Sequence, residues 1–100
     1  MDRETNKAPE HQYRKGQQYA DDVVLVKIKP DQWNPSQTWS PSDFPDVDIK
    51  KIRCPKYGDY ELDVYLNHYG DQEVLKAIEL LQKYSYVASA SKVILIWTAL

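Results

Sequence analysis

Chemistry at a protein site needs a nucleophile, a base or a metal ligand, and this chain offers few. Cys54, His11 and His68 are its only cysteine and histidines. Cys54 falls on the apolar side of a short strand pattern beside Ile52, where a thiol is buried and inert rather than activated. His68 ends an alternating run two residues before Gly70 and reads as a hydrogen-bonded histidine at a strand end, while His11 has no visible partner. Cys54-Pro-Lys-Tyr-Gly58 lacks the second cysteine pair of a zinc ribbon. Three glycines, Gly16, Gly58 and Gly70, make no phosphate-binding loop.

Carboxylates are more plentiful. Pro30-Asp31 followed by Asp48-Ile49-Lys50 has the outline of a Mg²⁺-dependent nuclease site, in which two acids hold a hard cation that activates water beside a lysine. Fifteen acids and six prolines generate such pairs by composition alone. A Trp–Pro segment also separates the two acids, where that site needs them on adjacent strands. The sequence therefore predicts no catalytic residue, no metal and no cofactor, with a metal-dependent nuclease as a remote alternative.

Residues suited to binding are easier to find. Pro30 to Asp46 holds four of the six prolines, two of the three tryptophans and the only phenylalanine. Within it Trp33-Asn-Pro-Ser36 and Trp39-Ser-Pro-Ser42 repeat six residues apart, each with a capping residue (Asn34, Ser40), a proline at the first helical position and Gln37 or Asp43 three past the cap. Two brief helical or 3₁₀ turns are expected, the second stopped by Pro45. Trp33, Trp39 and Phe44 either meet a partner, where tryptophan is enriched among energetic anchors, or fold back to complete a core short of side chains.

Charge falls in blocks. Val23–Lys29 and Lys50–Lys56 are basic, whereas Pro30–Ile49 and Asp59–Glu73 carry no basic residue. Glu61 and Asp63, interleaved with Tyr65 and followed by Tyr69, describe an acidic, tyrosine-rich strand that would steer a basic partner protein. The same acids can instead pair across strands with Lys51 and Arg53. A competing reading gathers Lys27, Lys29, Lys50, Lys51 and Arg53 into a nucleic-acid surface, which requires them to cluster away from the acids.

The elements that must position these residues follow from periodicity. Val23–Lys29 alternates with Val24, Val26 and Ile28 on one face and Leu25, Lys27 and Lys29 on the other, a half-solvated strand. Ile49–Cys54 and Tyr60–His68 flank a Pro–Gly–Asp turn and form an antiparallel hairpin, the second strand turning Leu62, Val64 and Leu66 inward and Glu61, Asp63 and Tyr65 outward. Asp71 caps a helix over about 71–88 with Val74, Ala77, Ile78, Leu81, Tyr84 and Ala88 on its apolar stripe. Lys92–Leu100 is apolar on both faces and reads as a central strand. One helix covers one sheet face, so the Trp–Pro segment, the N-terminal arm or a partner must cover the other.

All 23 Leu, Ile, Val and Phe residues lie from Val23 onward. Residues 1–22 accordingly read as a flexible or partner-ordered arm and residues 23–100 as a single α+β domain. The N-terminus has no apolar signal segment, no run is long enough to span a membrane, and a lone cysteine fits a reducing compartment, so a soluble cytoplasmic protein is expected. A net charge of −2 on 100 residues gives no general case for nucleic acid or membrane. The sequence thus predicts a small, mostly antiparallel sheet of about four strands with one helix. It is expected to work by binding another protein, as an inhibitor, an immunity-type factor or an accessory subunit, and a homodimer is compatible with its terminal apolar strand.

Overall fold

The computed structural model describes residues 12–55 and 60–95. Four strands and one helix follow in the order β1 (Tyr19–Ile28), β2 (Ile49–Arg53), β3 (Glu61–Leu66), α1 (Asp71–Leu81) and β4 (Val87–Ile94). The strands form one antiparallel sheet in the spatial order β2-β3-β1-β4. The fold is a small α+β domain.

Alternation sets the core. Val24, Val26 and Ile28 of β1 and Leu62, Val64 and Leu66 of β3 are all buried on one face. Register pairs Val24 with Val64 and Val26 with Leu62, so the two central strands present a continuous apolar surface. Helix α1 lays Val74, Ala77 and Leu81 onto it and packs over both β1 and β4. Its exposed surface carries Glu73, Lys76 and Glu79.

The Trp–Pro segment shares this face. Phe44 is fully buried and Trp39 and Val47 nearly so, in one cluster with the helix and strand residues. Ser40, Pro41 and Asp43 fold as their types dictate: a 3₁₀ turn over Pro41–Asp43, with the Asp43 carboxylate accepting the Ser40 N–H at 2.9 Å. The first repeat makes only a turn, in which Asn34 Oδ1 accepts the Ser36 N–H, and the other 3₁₀ turn lies earlier at Pro30–Gln32. A ladder of rings then locks the segment down. Trp33 stacks on Trp39, Trp39 on Phe44, and Phe44 meets Tyr84 edge-on at 5.3 Å. The Asp46 N–H donates to Tyr84 Oη, and the Tyr86 hydroxyl donates to the Asp43 carbonyl.

Several expectations need correction. Helix α1 ends at Leu81 rather than near residue 88, because Tyr84 and Tyr86 are drawn onto Phe44 and the chain tightens through 3₁₀-type bonds from Lys83 to Leu80 and Tyr84 to Leu81. Asp71 is the first helical residue and not the cap. That position belongs to Gly70, whose φ of 131° suits only glycine, and whose N–H donates to the Asp21 carbonyl. The C-terminal strand starts at Val87 and is the outermost strand beside β1, not a central one. Strand β1 begins at Tyr19, ahead of the apolar run, with Asp21 and Asp22 buried. Residues 1–11, residues 56–59 of the expected hairpin turn and residues 96–100 of the expected C-terminal strand lie outside the described residues.

Candidate functional site

With α1 and the Trp–Pro segment both on the Val24 face, the opposite face has no helix or strand over it among the described residues. Its side chains are ordered by register. Arg53, Asp63, Leu25 and Ser91 form one row across the four strands, Lys51, Tyr65 and Val23 a second, and Glu61, Lys27 and Ser89 a third. Tyr65 and Leu25 are half-buried, while Lys27, Lys51 and Arg53 are exposed.

Electrostatics on this face are local. Lys51 Nζ stands 5.0 Å above the Tyr65 ring in a cation–π contact. Burial raises the Asp63 carboxyl above its ordinary value, an effect that the neighbouring Arg53 opposes. The pairings Lys27 with Glu61 and Arg53 with Asp63 interleave the two signs. The expected acidic strand is therefore a mixed-charge surface around a tyrosine. Lys27, Lys51 and Arg53 are not segregated from the acids, as phosphate binding would require.

The structure brings Glu61, Asp63 and Tyr65 together and separates them from the other predicted contact residues. Tyr69 lies past the end of β3, half-buried in the passage into α1. Trp39 and Phe44 are core side chains on the opposite face, because each fills space between the sheet and Tyr86 that a solvated ring would leave empty. Trp33 is half-buried on that same side, edge-on to Tyr60 at 5.9 Å. Leu25 and Lys27 complete the open face, and their outward phase in the β1 alternation was the signal for them.

The remaining candidate chemistry is dispersed. Cys54 is exposed rather than buried, because β2 stops at Arg53 and the alternation that would have turned Cys54 inward ends with it. His68 Nδ1 lies 3.4 Å from Asp48 Oδ2, and Asn67 Nδ2 donates to Asp48 Oδ1 at 2.6 Å. Asp48 is thus held by β3 neighbours, while Asp31 sits in the first 3₁₀ turn. Among the described residues no three His, Cys, Asp or Glu side chains are grouped as a metal would need. A cleft of about 140 Å³ between residues 46–48 and the Glu73–Leu80 flank of α1 is smaller than pockets that enclose organic ligands, typically about 300 Å³ or more. No helix among the described residues is long and apolar enough to cross a membrane.

No protein-family model, curated protein or solved structure matches the chain.

Proposed function

We propose that this is a small non-catalytic protein-binding protein, an inhibitor, an immunity-type factor or an accessory subunit, whose contact surface is the Tyr65 face of the sheet. One observation carries the reading: the helix and the Trp–Pro segment cover the same side, leaving Leu25 and Tyr65 on a face that no helix or strand covers among the described residues, with Tyr13 reaching only its Val23 end. A half-buried tyrosine and leucine ringed by Lys27, Lys51, Arg53, Glu61 and Asp63 have the composition of an interface, an apolar centre with a charged rim. Interleaved signs select a partner by matched charge pattern, and such rim charges govern association rate more than affinity.

Affinity capture from the native source tests this with three baits: the wild-type chain, Tyr65→Ala, and the double variant Glu61→Lys with Asp63→Lys. A partner retained by the wild type and lost from both variants, at unchanged melting temperature, supports the assignment. Equal retention of every bound species by all three baits overturns it.

A further inference from the structure

The two edges of the sheet are protected very differently. Strand β2 is five residues long, is bulged between Ile49 and Lys51, exposes Lys50, Lys51 and Arg53, and is followed by Pro55. Each of these features discourages another strand from adding to it. Strand β4 has eight residues, Val-Ala-Ser-Ala-Ser-Lys-Val-Ile, without proline. Ser89 to Lys92 pair residue for residue with Lys27 to Val24, so the bulges lie outside this stretch. Its one charged residue, Lys92, does not guard the edge: its Nζ lies 5.1 Å above the Tyr19 ring, folded back over β1. Ala88, Ser89 and Ser91 are exposed and small enough for a neighbouring strand to approach.

Helix α1 adds a second feature on the same side. Its Glu73, Lys76 and Leu80 flank faces residues 46–48, so helical period places Leu75, Ile78 and Gln82 on the opposite flank, above β4. Leu75 is 47% exposed there and Ile78 half-buried.

We infer that the β4 edge is an interface for a second copy of this chain, the two β4 strands pairing antiparallel across a two-fold axis. The spacing of the elements selects this occupant. Strands lie about 4.8 Å apart, so a helix straddling β1 and β4 comes within about 10 Å of its two-fold mate once the sheets join. That is the interaxial distance at which helices pack. The two α1 helices then run antiparallel with their Leu75 flanks facing, and Asp71 in the first turn of each lies toward the C-terminal end of the other. Pairing about Ala90 sets Ser89 against Ser91 and Ala88 against Lys92, so no like charges oppose. An unrelated extended peptide would satisfy the strand edge but leave Leu75 in water. The interface is separate from the Tyr65 surface, which it would extend into one eight-stranded face.

Sedimentation equilibrium of the purified full chain decides. The expected result is a mass twice that of the monomer at about 0.1 mM, with dissociation raised at least roughly tenfold by Leu75→Glu and by Ala88→Lys and unchanged by Lys50→Glu on the opposite edge. Each variant must keep the wild-type circular dichroism spectrum. Hydrogen exchange of the wild-type chain supplies a readout that needs no variant: amides of β4 should slow between dilute and concentrated samples while those of β2 do not. A monomer at that concentration overturns the inference. So does a dimer that neither substitution weakens, or β4 exchange that ignores concentration.

Discussion

Tyr13 donates its phenolic hydrogen to Asp22 Oδ1 at 2.5 Å, tying a residue outside the sheet to a buried carboxylate near the start of β1. Burial and this hydrogen bond both push the Tyr13 phenol well above its ordinary value of 10.0. Because the folded chain holds that proton more tightly than the unfolded one, the contact stabilises fully below pH 10 and is lost as pH rises beyond it. Tyr13→Phe should lower stability by about 1 kcal/mol at pH 7, and the difference from wild type should shrink in strongly alkaline buffer. Chemical denaturation at the two pH values measures it; a penalty that persists unchanged at high pH would separate the loss from this proton.

The aromatic ladder makes the Trp–Pro segment part of the fold rather than an appendage. Phe44→Ala should cost about 3–5 kcal/mol, a large share of the roughly 5–15 kcal/mol that holds a typical domain together. Trp33→Ala, at a half-buried position, should cost clearly less. Thermal unfolding of both variants under one buffer ranks them, and equal losses would mean that the segment is anchored elsewhere.

Trp39 gives the opposite expectation for a large buried ring. Its Nε1 is buried with no hydrogen-bond partner among the described residues. Leaving a buried donor unpaired costs about 1–3 kcal/mol, and Trp39→Phe removes that donor while keeping a ring against Phe44 and Tyr86. The substitution should therefore change stability by less than about 1 kcal/mol, the lost ring area and the relieved donor offsetting each other. A loss as large as that of Phe44→Ala would show that the indole N–H is satisfied.

What the sequence made legible, and what it hid, follows from how far local pattern can reach. In β3, Leu62, Val64 and Leu66 alternate with Glu61, Asp63 and Tyr65, and every one of the six lands on the face its phase assigns. Alternation does not reach the start of β1, because Tyr19–Asp22 is mostly polar and its pairing is irregular between Tyr19 and Val24. Spacing alone carries helix α1 too far, because Tyr84 and Ala88 continue the three-and-four pattern although tertiary contact with Phe44 takes Tyr84 out of the helix. Which face the Trp–Pro segment would cover was not encoded locally at all. It depends on Tyr84 and Tyr86, some forty residues away, reaching Asp46 and Asp43. The outward set Glu61, Asp63 and Tyr65 is readable, and so is the pairing of its acids with the β2 cations, which puts Arg53 opposite Asp63; the pairing of Lys27 with Glu61 is not, because it depends on β3 lying beside β1.

Asp63 provides a pH-dependent prediction at the candidate surface. Burial raises its carboxyl above the ordinary value of 3.8 more than Arg53 lowers it. The folded chain thus favours the protonated form, so Asp63 stabilises most below pH 3.8 and that contribution fades as pH rises through its folded value. In its charged form the side chain opposes folding. Asp63→Asn should accordingly be no less stable than wild type at pH 7 and should lose ground to it as pH falls through the folded value of Asp63 toward 3.8, with no further change below that. Urea midpoints of both chains across pH 3 to 7 carry the test. An Asn variant destabilised at pH 7 would mean that Arg53, not burial, dominates this carboxylate, and would return the face to the cross-strand ion pairs expected from alternating charges alone.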